Sequence, residues 1–317
     1  MMRAGVLHAF GSAPRFEEFP APTAAAGETL VRVKAAAITP LARWIASDRD
    51  YGRSDVPFIC GSEGVGELED GSRVSFGVLR APYGAMAEVV PAPTRLCTPI
   101  VRDDVDDVLA AAVKNPGVSA FNSLGWGAKL QPGENVLVLG ATGVAGRLAV
   151  QVAKLLGAGK VIAAGRDESG LEVLQQLGAD ELVPLGQSDS GLGKDFRRIT
   201  EQIGVQVVLD YLWGRPAQVL LDAMPRRLMA DREIRYLQLG NSAGATISLH
   251  ANALRRTGVT LGAGAPPPVE LVQENYRKVL DGVASGRLRI DCAAVPLSEI
   301  EAAWQQDTRG RRLVVVP

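Results

Sequence analysis

Residues Val136 to Gly146 read VLVLGATGVAG. An apolar run breaks into a glycine-rich turn, and the turn opens on RLAVQVAKLLG. There Leu148, Val152 and Leu155 fall on one face, and Arg147, Gln151 and Lys154 on the other, which is helical spacing. The alternation then repeats. KVIAAG (160–165), ELVPL, VQVVLD (205–210), REIRYLQLG (232–240) and GVTLGAG (258–264) read as strands. SGLEVLQQLG, DFRRITEQIG and RPAQVLLDAM read as the helices between them. Near-continuous apolar strands, each followed by an amphipathic helix, imply a parallel sheet covered on both faces. The predicted architecture is a doubly wound α/β domain.

A glycine turn between the first strand and first helix of such a domain is suited to a dinucleotide. Its first small residue allows a tight turn, the second lets backbone N–H groups approach the pyrophosphate, and the third lets the helix pack on the strand. Ala141, Gly143 and Gly146 take those three places, with Thr142 and Val144 beside them. The anion is expected at the helix N-terminus, where unpaired N–H groups and the helix dipole favour it. At the end of the second strand an acidic residue suits NAD, and an arginine suits the 2′-phosphate of NADP. The chain reads AAGRDES, so Gly165 leaves room beside the ribose and Arg166 comes before Asp167. A carboxylate there would repel a phosphate that an arginine can pair. NADP(H) is the expected cofactor; the plainer reading of Arg166 is a solvated loop charge.

The first ~110 residues differ. VRVKAAAI (31–38), VPFICGSEGVGELEDGSRVSFG (56–77) and GAMAEVVPAP (84–93) are short β segments punctuated by Gly and Pro, as in a small coiled barrel. VLAAAVKNPGVSAFNSL (108–124) reads as helical on either side of Asn115–Pro116–Gly117. After Pro266–Pro268 comes one more amphipathic helix (269–285), then short strands ending in GRRLVVVP. The expected divisions are 1–111, 112–267 and 268–317, the last returning to the first.

Composition narrows the function classes. The 317 residues carry a formal net charge of −1, which favours neither nucleic acid nor an anionic membrane. No apolar run spans a bilayer, and the start MMRAGVLHAFG lacks a signal-peptide core. A cytoplasmic protein is expected. Cys60, Cys97 and Cys292 are far apart with no CxxC pair, and are read as small buried hydrophobes. His8 is placed in a strand and His250 just beyond one, both structural.

Taken together these segments resemble the medium-chain dehydrogenase/reductase superfamily, and within it the zinc-independent quinone oxidoreductase-like branch. PFICGSEGVGELEDGSRV is similar to that family's glycine-rich segment and GAMAEVVPAP to its GxxAE strand. LQPGENVLVLGATGVAGRLAVQVAKLLGA is similar to its most distinctive stretch, including an AxxGxxG turn in which Ala141 is ordinary. The resemblance implies a GroES-like β-barrel catalytic domain and a Rossmann domain, with the cofactor in the cleft between. It also implies a homodimer formed edge to edge through GVTLGAG.

Zinc enzymes of the superfamily carry a cysteine after an early strand and a histidine in a GHE motif. Here AAAITPLARW (35–44) and GSE (61–63) stand in those places, so Ser62 replaces the histidine. Glu63 alone is a poor zinc ligand set, and the cysteine-rich structural lobe is missing. No metal is expected. Without a Lewis acid the favoured acceptors are quinones and α,β-unsaturated carbonyls, whose developing charge spreads over a π system. The expected activity is NADPH-dependent hydride transfer to such small molecules. An enoyl reductase, an alcohol dehydrogenase, or a nucleotide-binding protein with little turnover remain alternatives.

Trp44 and Tyr51 lie in the segment that borders the substrate in this family, though Thr39 and Ala42 replace polar residues found there. Tyr51 reads either as a donor or as a loop aromatic packed on the barrel. Asn115, next to Lys114, reads either as a ligand to cofactor or substrate or as a turn residue before proline. Leu239, Gly240 and Asn241 end a strand on its carboxyl side and are expected near the nicotinamide ribose.

Overall fold

The structure is a computed structural model that describes residues 1–47, 55–225, 233–255, 257–308 and 310–317. It divides into two compact units. The first comprises Met1–Asn115, Tyr276–Gly286 and Ile290–Pro317, the second Pro116–Asn275 and Arg287–Arg289.

The first unit begins with strands β1 (Met2–Leu7), β2 (Arg15–Phe19) and β3 (Glu28–Ala37), then helix α1 (Pro40–Ser47). Strands β4 (Phe58–Ile59), β5 (Glu63–Glu67), β6 (Arg73–Gly77), β7 (Val89–Pro93) and β8 (Thr98–Pro99) follow, then helix α2 (Asp107–Phe121). β1 is central in a small sheet ordered β2-β1-β4. β3 pairs antiparallel with both β5 and β7. Strand pairing shifts register between Val33 and Ala35, an irregularity that bends a strand around a barrel-like core. Val6, Val31, Phe76, Met86 and Val315 meet in that core.

In the second unit, β9 (Val136–Leu139), α3 (Val144–Leu155), β10 (Val161–Gly165), α4 (Glu168–Gln176) and β11 (Glu181–Pro184) alternate. Then come α5 (Asp189–Arg198), β12 (Val207–Asp210), α6 (Gly214–Ala223), β13 (Ile234–Gln238), α7 (Ala251–Leu254) and β14 (Val259–Gly262). All five pairings are parallel. The order is β11-β10-β9-β12-β13-β14, the doubly wound order of a Rossmann sheet. β9, β10 and β12 are buried along their whole length, as strands covered on both faces must be. Helix α8 (Val269–Ala284) follows, then β15 (Cys292–Pro296), α9 (Ile300–Gln305) and β16 (Arg312–Val316). β16 pairs antiparallel with β3 and parallel with β15.

Three local expectations are corrected. Helix α2 does not break at Asn115–Pro116–Gly117 but runs through Pro116. Proline there costs one backbone bond, and buried apolar residues on both flanks, Ala110–Val113 and then Val118, Ala120 and Phe121, hold the helix together. His8 lies just past β1, where its Nε2 meets Glu17 Oε1 at 2.7 Å. His250 does not follow a strand; it caps α7, its Nδ1 accepting from Asn252 N.

Candidate functional site

The glycine turn sits at the carboxyl end of β9. Its left-handed residue is Gly140, at φ +84, one place before the alanine. Ala141 is fully buried and its N–H donates to Ala164 O at 2.9 Å. The tight turn expected at Ala141 is therefore made by Gly140, and alanine costs nothing in its own place. Gly146 is the strict position, because a Cβ there would lie 2.3 Å from Gly140 O and 2.5 Å from the Ala141 Cα. Gly143 differs from both. A Cβ on it would meet only Gly140 O, at 3.4 Å. It is the N-cap of α3, with no side-chain capping bond. The first-turn N–H groups beyond it, from Val144 onward, thus have no partner within the helix. Arg147 braces the turn from inside through its Nε–H to Thr142 O at 3.0 Å.

At the end of β10 the sequence expectation is corrected. Gly165 does not leave an open space: a Cβ there would lie 2.5 Å from Thr142 Cγ2 and 3.0 Å from Thr142 Oγ1. Glycine is required so that the Thr142 side chain can lie against β10. Arg166 is exposed and makes no ion pair among the described residues. Asp167 turns back into its own loop and accepts from Ser169 Oγ at 2.8 Å. An unpaired guanidinium therefore stands first after the strand, with the neighbouring carboxylate engaged elsewhere.

The chain reverses its winding between β9 and β12, and ligands of doubly wound sheets bind outside the carboxyl ends at such a point. There Gly140 packs on Leu212, whose Cδ2 lies 3.0 Å from the position of an added Cβ. Asp210 ends β12 fully buried. Its Oδ1 accepts from Leu212 N at 2.8 Å and Trp213 N at 2.9 Å, and its Oδ2 accepts from Tyr236 Oη at 2.7 Å. Burial pushes the carboxyl up, and those three donors offset part of the effect. The bonds hold Trp213 and Gly214 at φ +54 and +58. Leu239 N and Gly240 N both donate to Asp210 O, at 2.7 and 3.1 Å. Gly240 packs on the backbone of Tyr211, and Gly244 N donates to Asn241 O at 3.0 Å. Asp210 and Tyr211 were not singled out from sequence. The signal that marks them is an aspartate closing an apolar strand just before Tyr-Leu-Trp-Gly. The Tyr211 phenol is buried without a hydrogen-bond partner, and burial raises its pKa.

Ala141, Thr142, Gly143, Val144, Gly146, Gly165, Arg166, Leu239, Gly240 and Asn241 thus gather along the carboxyl edge of one sheet. Trp44 and Asn115 lie apart in sequence on α1 and α2, both half-buried. Tyr51 lies outside the described residues.

The first unit also contains the segment where zinc relatives carry their ligands. Thr39 Oγ1 accepts from Ala42 N at 3.0 Å, so its hydroxyl caps α1. Burial pushes the Cys60 thiol up to about 12. Glu63 faces the Lys114 ammonium at 3.8 Å. Among the described residues no three of His, Cys, Asp and Glu converge. A hydroxyl, a lone carboxylate and an adjacent cation are not a zinc donor set.

The strand order, the turn and the separate β unit define the class: a Rossmann-type α/β unit in one chain with a GroES-like β unit. A family profile described as zinc-binding dehydrogenase matches residues 145–225. A probable NADPH-dependent quinone reductase of Emericella nidulans is 31% identical over 233 residues, which is 68% of this chain and 63% of that protein. This chain therefore matches less than two thirds of that reductase. A mycobacterial protein solved in complex with NADPH superposes with a TM-score of 0.84 at 22% identity, covering 100% of both chains. A protein described as a NADPH:quinone reductase from Bacillus thuringiensis superposes with a TM-score of 0.84 at 21% identity, covering 100% of this chain and 99% of that one. Residues 145–225 thus match a zinc-binding dehydrogenase domain, about two thirds of the chain is similar to a quinone reductase, and the whole chain shares the fold of the NADPH-complexed and quinone reductase structures.

Proposed function

We propose that the chain is an NADPH-dependent, metal-free oxidoreductase of quinones or α,β-unsaturated carbonyls, working as a cytoplasmic homodimer. The observation that carries this reading is the β9–β12 switch point with exposed Arg166 at the end of β10. The residues fit the dinucleotide. Gly143 and Val144 at the start of α3 take the pyrophosphate, in the turn shaped by Ala141, Thr142 and Gly146. Arg166, next to Gly165, takes the 2′-phosphate. Leu239, Gly240 and Asn241 lie against the nicotinamide ribose. When bound, the reduced nicotinamide supplies a hydride. The domain assignment in this reading is 1–111 catalytic, 112–267 cofactor-binding and 268–317 catalytic again.

The acceptor is held flat by Trp44, Tyr51 and Asn115, so that much of the rate comes from orientation. The metal-free part of the reading is supported by the donor set around Ser62 and Glu63. A second reading, a nucleotide-binding protein with little turnover, is favoured by one observation: the Thr39 hydroxyl is spent on capping α1.

The deciding experiment follows NADPH absorbance with purified chain and a panel of quinones and enones. Turnover well above background with NADPH, and slower with NADH, is expected. Background rates across the panel would exclude the reductase, and equal rates with both cofactors would exclude the NADPH preference.

A further inference from the structure

In the second unit, one buried carboxylate fastens two loops at the carboxyl edge of the sheet. Asp210 ends β12 and Tyr236 lies within β13, both fully buried. The two Asp210 oxygens meet three donors, Leu212 N, Trp213 N and Tyr236 Oη. The loop held in this way, 211–214, is tied to the loop that follows β13. Leu239 N and Gly240 N donate to Asp210 O, and Ala243 N donates to Leu212 O at 2.8 Å. Ser242 Oγ donates to Tyr211 O at 3.1 Å. A Cβ on Gly214 would lie 2.4 Å from Ala243 O, so the two loops are in backbone contact. All of these residues belong to the second unit.

Stability alone is a poor reason for this arrangement. A buried carboxylate is costly to desolvate, and well-packed apolar groups often serve a core as well or better. What the carboxylate adds is direction, because its acceptor sites fix where each donor must lie. It also holds a strained backbone. Trp213 stands at φ +54 and ψ −154, a region that favours glycine, and such strain persists only where the surroundings over-determine it. Here the surroundings are the Asp210 bonds and an edge contact between the Trp213 and Tyr236 rings, with centroids 6.5 Å apart. Strain of this kind gathers at ligand clamps.

We propose that Asp210 and Tyr236 are positioning residues for the nicotinamide half of NADP(H). They act through the backbone. The carboxylate and phenol lock loop 211–214, and that loop sets Leu239, Gly240 and Asn241 in place against the nicotinamide ribose. The inference rests on reading the second unit as the NADP(H) site.

The effect is one-sided along the sheet. In that reading Arg166, after β10, takes the 2′-phosphate. β10 and β13 are three places apart, about 14 Å at ordinary strand spacing. Loss of the Tyr236 hydroxyl leaves Asp210 Oδ2 buried without a donor, which is unfavourable. The carboxylate then turns away from Leu212 N and Trp213 N, and the loops after β12 and β13 lose their fixed register. The adenosine half keeps its own contacts at the other side of the switch point.

Two ligands separate a positioning role from a merely structural one. Calorimetric titration of the full chain compares NADPH with adenosine 2′,5′-bisphosphate, which lacks the nicotinamide half. Tyr236→Phe is expected to weaken NADPH about tenfold, the effect of losing a hydrogen bond to a charged group. Its affinity for the bisphosphate should stay within about twofold, which also reports that the variant is folded. Asp210→Asn keeps an oxygen for the two N–H groups, and its amide can donate to Tyr236 Oη. It is expected to hold NADPH within about threefold of wild type. Unchanged NADPH affinity in Tyr236→Phe overturns the proposal. So does an equal loss with both ligands, which marks residues that only hold the unit together, or a loss in Asp210→Asn as large as that in Tyr236→Phe. A wild type that binds NADPH no tighter than the bisphosphate overturns it too, because the loops then contribute nothing. In each of these cases the dinucleotide reading stands. If wild type binds neither ligand, that reading fails and the proposal falls with it.

Discussion

Gly140 and Gly146 do different work only six positions apart. One supplies a left-handed backbone, the other removes a side chain from a backbone contact. Ala141 between them needs neither, so its departure from a glycine fingerprint has no structural cost. Arg166 bears the most specific prediction at this scale. Arg166→Asp is expected to weaken NADPH binding by about a hundredfold, equivalent to losing ~3 kcal/mol of charge-assisted hydrogen bonding. NADH binding should change by less than about threefold, since it has no 2′-phosphate to lose. Titration of both nucleotides by fluorescence measures the two effects, and equal losses would remove Arg166 from the phosphate site. The position of the turn between β9 and α3 was legible because it depends on neighbours in sequence. The packing of Thr142 over Gly165 was not, because it needs the register between the β9 turn and β10.

The unit formed by β9, the turn and α3 is held by close approach. A Cβ at Gly146 has no side chain to push aside, only the backbone of Gly140 and Ala141. Gly146→Ala is expected to cost about 1–3 kcal/mol, the range for overpacking a tight interior. Urea denaturation measures it, and an unchanged midpoint would show that the helix can lift off the strand freely. Hydrophobic period placed most strands and helices of this half of the chain. It failed at α2, where Asn-Pro-Gly reads as a break. Local propensity there loses to burial on both sides of Pro116. It also missed Asp210, whose three donors come from the following turn and from β13.

For the whole molecule, β14 is the edge strand of the six-stranded sheet, paired on one side only among the described residues. An exposed edge is a template for another strand. Edge-to-edge association through β14 is expected to give a particle of about twice the 33.4 kDa chain mass. Sedimentation equilibrium reads this directly, and a single-chain mass at micromolar concentration would rule the dimer out. Among the described residues no helix is long and apolar enough to cross a membrane.

The sequence alone determined the alternating class of the second unit, the position of its glycine turn and the residue that follows β10. These are short-range properties, set by side-chain period and by which residues tolerate a left-handed or crowded backbone. Only the tertiary structure decided which strands are neighbours, that β3 is the strand the returning β16 pairs with, and that Lys114 lies beside Glu63. Those pairings join residues far apart in the chain. They are selected by the shared burial of many side chains, and no local pattern encodes that burial.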